Sequence, residues 1–182
     1  MITNEELTNA ILRLEKAQEK TDEQMKKTTE QTSIKMDKMM KSIKQVSQNI
    51  DGVNKSIGLE VEDFFYSLLK KNPTIANVNF DYVYQNDKRN LKGETQEIDI
   101  LLENGNHIAV VEVKNRVSQN SIDQLDNIMD NFYYFHRDYE DYKLIGALAG
   151  KIFPKHLQEQ TLKKGYSVIT QQGDHIEQIN PK

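Results

Sequence analysis

Two strand-like runs, Glu97–Leu102 (EIDILL) and His107–Lys114 (HIAVVEVK), stand on either side of Glu103-Asn104-Gly105-Asn106. Asn-Gly between apolar runs is a strong hairpin signal, because both residues accept the positive φ of a two-residue turn. With Asn104 and Gly105 as the loop, Glu103 pairs with Asn106, Leu101 with Ile108, Asp99 with Val110 and Glu97 with Glu112. Partners share a face and side chains alternate along each strand. Asp99, Val110, Glu112 and Lys114 therefore lie on one face. Asp99 and Glu112 become diagonal neighbours, about 7–8 Å apart at the backbone, near enough for their carboxylates to converge on one cation. The second strand is apolar on both faces as far as Glu112, the pattern of a central strand covered on both sides. A carboxylate there is costly unless paired or bound to a cation. Three readings follow: an ion pair of Glu112 with Lys114 or another lysine, a strand end emerging into solvent, or a metal site. In the third, Asp99 and Glu112 are hard oxygen ligands with Lys114 beside them, a set that suits magnesium.

The surrounding sequence supplies the other layers. Leu59–Lys71 places Val61, Phe64, Phe65, Leu68 and Leu69 at helical spacing and is stopped by Asn72-Pro73. Val78–Tyr84 alternates as a strand, and Gln85–Gly93 reads as a polar loop holding Lys88, Arg89 and Lys92. Ser121–Tyr139 is a predicted helix with Ile122, Leu125, Met129 and Phe132 on one face, and Ser121 with Gln124 as a capping box. Tyr142–Gly150 is a short buried strand. Pro154–Lys164 is a helix opened by Pro154 and ended by Gly165. Tyr166–Thr170 is a strand, and His175–Ile179 a further strand candidate. The order is α-β-β-β-α-β-α-β, an α/β domain over residues 58–182 with enough chain for one core.

Residues 1–57 differ in kind. They hold no Pro, no aromatic residue and one Gly, Gly52. Leu7, Ile11, Leu14, Gln18, Thr21, Met25, Thr28, Thr32, Met36, Met39, Ile43, Val46, Ile50, Val53 and Ile57 recur at alternating spacings of four and three, with one stutter at Thr28-Thr32-Met36. The seam is apolar at both ends and polar in the middle. Thr3 and Glu6 form a capping box, and Ile2 is placed to staple onto Leu7. This predicts one coiled-coil helix of roughly 75–85 Å that joins copies of the chain into a homo-oligomer or joins a partner helix. A polar tail that folds on binding is the alternative reading.

Composition narrows the functions. The chain has 182 residues, no cysteine, a formal net charge of −4 and a pI near 5.6, with mean hydropathy −0.73. The absence of cysteine excludes disulfides, thiolate metal sites and a thiol nucleophile, and fits a reducing cytoplasm. No apolar run reaches a membrane span. No Gly-rich phosphate loop or Gly-x-Ser-x-Gly elbow is present, and no organic cofactor is expected. His107, His136, His156 and His175 are scattered without ligand spacing, so surface or structural roles are expected. Phe132-Tyr133-Tyr134-Phe135 could stack on bases, but on a helix it is expected to pack the core and wet its hydroxyls. Lys88, Arg89, Lys92, Lys114 and Arg116 are the local basic set available to phosphates.

Asp99, twelve intervening residues and then Glu112-Val113-Lys114 on a hairpin, with a helix before and after, resembles the PD-(D/E)xK nuclease superfamily. The resemblance covers about residues 58–170, with Ile98 in place of the family's Pro. It implies a restriction-endonuclease-like core, a mixed central sheet flanked by helices, here preceded by the long N-terminal coiled-coil helix. It also implies a metal-dependent DNA phosphodiesterase with Asp99 and Glu112 as ligands of Mg²⁺ (Mn²⁺ as substitute) and Lys114 as the catalytic lysine. Many members carry a Glu on the first core helix, for which Glu60 is the candidate, as third catalytic acid and ligand; its other reading is an acid complementing the helix dipole. Gln124 lies where some members place a Gln. The implied partner is DNA. The competing reading is a silent nuclease-fold adaptor that acts through its coiled coil.

Overall fold

The computed structural model describes residues 3–182, which form two compact units, one running to Val53 and the other from Asn54 to Lys182. A single helix, α1 (Asn4–Lys71), takes in both the predicted coiled-coil segment and the predicted helix Leu59–Lys71. Gly58 does not break it, since one glycine costs only about 1 kcal/mol in a helix. The predicted capping box forms: Glu6 Oε2 accepts the Thr3 N–H at 2.9 Å, and Thr3 Oγ1 accepts the Glu6 N–H at 3.3 Å. The Ile2 staple lies outside the described residues.

In the second unit α1 is followed by β1 (Thr74–Ile75) and β2 (Val78–Asn79), a small hairpin, then β3 (Tyr82–Leu91), β4 (Glu94–Glu103) and β5 (His107–Arg116). Next come α2 (Gln119–Phe135), a short 3-10 turn at Arg137–Tyr139, β6 (Lys143–Ile152), α3 (Lys155–Lys163), β7 (Ser167–Gln172) and β8 (His175–Ile179). The six strands β3 to β8 lie in chain order in one sheet. β5, β6 and β7 run parallel, and the other neighbours antiparallel. The fold is α/β: a long N-terminal helix, then a mixed sheet flanked by helices, as expected. One face carries Ile100, Leu102, Ala109, Val111, Val113, Ala149 and Ile169 against Val61, Phe65 and Leu69 of α1. The other carries Ile98, Leu101, Ile108, Val110 and Leu148 against Ile122, Leu125, Ile128 and Phe132 of α2.

Three local expectations are corrected. The run Val78–Tyr84 is split, with its first half in the small hairpin. The supposed loop Gln85–Gly93 is mostly strand: β3 continues to Leu91 and pairs with β4 out to Leu91↔Glu94. An edge strand has little need of apolar residues, which is why this half reads as loop. The positive-φ pair Lys92 (50°) and Gly93 (86°) makes the turn. Third, α2 begins before Ser121. The Ser118 N–H donates to Ser121 Oγ at 3.1 Å, so Ser121 closes the helix start from inside the first turn, and Gln124 has no part in a cap.

The packing is tight where β6 meets α2. A Cβ at Gly146 would lie 2.6 Å from the Tyr166 ring and 3.0 Å from Met129 Cε. The Tyr166 hydroxyl donates to Asp126 Oδ1 at 2.8 Å, which keeps the ring from swinging away. Gly146→Ala should therefore destabilise the protein by about 1–3 kcal/mol. Chemical denaturation checks this, and stability equal to wild type would mean the ring gives way freely.

Candidate active site

The turn between β4 and β5 fixes where the acids fall. Leu101 pairs with Val110, Leu102 with Ala109 and Glu103 with Ile108. The loop is therefore Gly105-Asn106, not Asn104-Gly105. The Asn104 side chain sets this: its Oδ1 accepts the N–H groups of Asn106 (3.1 Å) and His107 (2.7 Å), and its Nδ2 donates to the Asn79 carbonyl at 2.6 Å. The register moves by two residues, so face parity is kept. Asp99 falls directly opposite Glu112 rather than diagonal to it.

At that point the ladder stops. The last β4–β5 pair is Ile100↔Val111, while β4 continues alongside β3. Asn86, opposite Asp99 on β3, takes φ 57°. Ile98 and Ile100, two residues apart, point into opposite cores. The β3–β4 pair therefore twists sharply at Asn86 and Asp99, and β4 peels away from β5. The Val113 N–H, left without a strand partner, donates to Asp99 Oδ2 at 2.7 Å. β3, which stays paired with the departing β4, is held at the C-terminal end of α2 by His136, which is fully buried, 2.7 Å from Asp87 Oδ2 through Nε2. That is a structural role, as expected for the histidines.

Glu112 is 1% exposed. Its Oε1 pairs with the Lys114 ammonium, and its Oε2 receives no hydrogen bond from any described residue. Burial, then the charge of Asp99, push the Glu112 carboxyl up to about 7, with a further push from Glu62 and only partial relief from Lys114. Burial likewise raises Asp99, against the Val113 N–H and Lys114. Burial works to lower Lys114, but Glu112, Asp99 and Glu62 outweigh it and hold the amine protonated well into the alkaline range.

The structure thus brings Asp99, Glu112 and Lys114 together. Glu60 does not join them. It is exposed and lines a separate cleft with Phe64, Asn115 and Lys151. The α1 acid whose charge reaches the group is Glu62, its own carboxyl raised by burial and by Asp99. Helical spacing carried that signal: with Val61, Phe65 and Leu69 buried, Glu62 lies closer to the buried stripe than Glu60 does. Gln124 is exposed on α2. In the basic set, Lys88 pairs with Glu97 at 3.2 Å, and Arg89 lies 3.7 Å from Asp87 and 3.8 Å from Asp138.

An orphaned, buried carboxylate oxygen beside a second half-buried carboxylate fits a hard cation that completes its shell with water and phosphate oxygens. Among the described residues no group of three or more His, Cys, Asp or Glu closes to metal-ligand spacing, so the protein would offer two acids, not three.

No family model matches the chain, and no curated protein matches it. Among solved structures it is similar to a repair endonuclease from Pyrococcus abyssi (15% identity, 66% of this chain, 47% of that one, TM-score 0.44). It is similar to the same degree to the EndoMS protein of an EndoMS–dsDNA complex (15%, 66%, 45%, 0.44). A third is an FdxN element excision controlling factor protein from Anabaena variabilis (18%, 69%, 99%, 0.35). The chain spans less than half the length of the first two.

The raised Glu112 carboxyl has a thermodynamic consequence. Between its ordinary value of 4.5 and about 7 the folded state binds the proton that the unfolded chain releases. Stability from this group is complete below pH 4.5 and is lost as pH rises through 7, by up to about 3 kcal/mol in all. In chelated buffer, Glu112→Gln should flatten that part of the stability–pH curve and melt above wild type at pH 8. An unchanged curve would show that Glu112 ionises freely in the fold.

Proposed function

We propose that the protein is a Mg²⁺-dependent DNA phosphodiesterase. The observation that supports this best is the convergence of Asp99, the orphaned Glu112 oxygen and the protonated Lys114 where β4 leaves β5. Asp99 and Glu112 would hold the ion, with Glu62 adding negative charge behind them. The ion, when bound, polarises the phosphate and makes water more acidic. Lys114, kept protonated by its neighbours, is a donor and counter-charge rather than a base. Its ammonium, tethered by Glu112, orients water and offsets the charge that builds on the phosphate oxygens. Water adds to phosphorus and one ester P–O bond breaks, leaving an alcohol and a phosphate monoester.

The same reading gives α1 a partner in a second copy of this chain. Leu7, Ile43, Val46, Ile50 and Val53 of the seam are each more than half exposed in a single chain. The polar middle is fit for burial: the hydroxyls of Thr21, Thr28 and Thr32 donate to the carbonyls of Ala17, Gln24 and Thr28 at 2.8 Å, so none needs a partner across the interface. The second reading, a catalytically silent adaptor, draws on Asp99 already being engaged by the Val113 N–H and on the missing third acid.

Cleavage of duplex, single-stranded and branched DNA in Mg²⁺ separates the two. Lys114→Ala should keep DNA binding near wild type while cleavage falls by about two to three orders of magnitude. Lys114→Arg should rescue poorly, because a planar fork does not replace a compact ammonium. Wild-type binding without cleavage would favour the adaptor.

The helix makes its own demand. Ile50→Asp with Val53→Asp should turn an oligomer into a monomer in sedimentation while the second unit melts as before. A wild-type monomer at high concentration would remove self-association.

A further inference from the structure

Resting on the nuclease reading, we propose that the cleft between the first core turns of α1 and the ends of β5, β6 and β7 is a subsite for a backbone phosphate of the DNA away from the scissile linkage, with Lys151 as its cation. The pairs Lys114↔Gly150 and Arg116↔Ile152 set Asn115 abreast of Lys151, and Thr170↔Gly150 sets Gln171 on Lys151's other side. The three make one row across adjacent parallel strands, spaced about 4.8 Å, one step past Lys114 and at the carboxyl ends of the strands. Parallel α/β sheets bind ligands at that edge, where the ladder no longer fills the space.

The row continues the α1-facing side of the sheet. Two residues back on each strand stand Val113, Ala149 and Ile169, all buried under α1. At the row itself apolar packing ends, and a cleft of about 450 Å³ opens under Glu60 and Phe64. Its floor is an ammonium with no ion pair among the described residues, flanked by the Asn115 carboxamide. Gln171 stands at the rim, its Nε2 donating to the Gly173 carbonyl at 2.9 Å. Ile152, 41% exposed, and Phe64 form an apolar wall. A nucleotide matches this lining: the phosphate takes the ammonium and an amide N–H, and the sugar lies on the apolar wall. Glu60 opposes it from α1 and keeps the phosphate on the Lys151 side. This gives Glu60 a part in choosing the substrate rather than in holding the ion.

The test is DNA binding by the full chain, with Ca²⁺ in place of Mg²⁺, read by anisotropy of a short labelled duplex over a range of KCl. Lys151→Gln should weaken binding about 3–10-fold and reduce the slope of log K against log salt by about 0.9, one phosphate contact. Lys143→Gln, at the opposite end of β6 beside His107, should leave the slope unchanged. Glu60→Gln should tighten binding. In Mg²⁺, Lys151→Gln should raise KM and spare kcat. Equal slopes for Lys151→Gln and wild type in a protein that binds and cuts DNA would overturn this subsite alone. Equal slope losses for Lys151→Gln and Lys143→Gln would overturn it too, as diffuse charge. If wild type neither binds nor cuts DNA, the nuclease reading falls and takes the subsite with it.

Discussion

One hydrogen bond organises the second unit: Asp99 Oδ2 accepting the Val113 N–H at 2.7 Å. A buried backbone donor in the middle of a sheet needs an acceptor. β4 supplies one to β5 only as far as the Ile100–Val111 pair. Beyond it the carboxylate of Asp99 takes the place of a strand, which lets β4 turn away without stranding the β5 backbone. The separation leaves β5 unpaired with β4 at Glu112 and Lys114. The acid that permits the separation is thus also the acid beside that pair. That double role explains why Asp99 tolerates burial that raises its pKa: the N–H bond and Lys114 offset part of the cost.

The site is held under electrostatic tension by the same geometry. Glu112 sits on a strand whose neighbours Val111 and Val113 are core residues, and it is itself fully buried. One lysine must serve Glu112, Asp99 and Glu62. Removing any one acid relaxes the others. Three carboxyls with one lysine leave two counter-charges missing, a cost that a purely structural cluster would not need.

Much of this was legible in the residues, and the gaps have physical causes. The alternation of β4 and β5 gave the shared face of Asp99, Glu112 and Lys114. It survived a turn placed one residue early, because a two-residue change of register preserves parity. Nothing short of the Asn104 side chain's contacts distinguishes the two turns. The second half of β3 was read as loop because its partners are β4 on one side and solvent on the other, and hydrophobicity is silent about edge strands. A helix-start acid such as Glu60 reads as the candidate from position alone, whereas the spacing of Val61, Phe65 and Leu69 points to Glu62. The twist at Asn86 has no local sequence signature beyond an asparagine, a residue that tolerates left-handed φ.

On the nuclease reading, a chain of net charge −4 must meet its polyanionic substrate through local charge. Lys88 and Arg89, the obvious cations in the sequence, are paired with neighbouring acids. Lys114 is tied to Glu112. Arg116 and Lys151, at the carboxyl ends of β5 and β6, have no ion pair among the described residues. Alternation divides the work there. Glu112 and Lys114 fall on one parity of β5, and Asn115, abreast of Lys151, falls on the other. On that reading a DNA strand crossing the end of the sheet would meet the acids on one side and Lys151 on the other. The acids repel it until a cation neutralises them, and the cations attract it throughout. On the nuclease reading, substrate binding and ion binding are therefore coupled through charge alone, without a moving part.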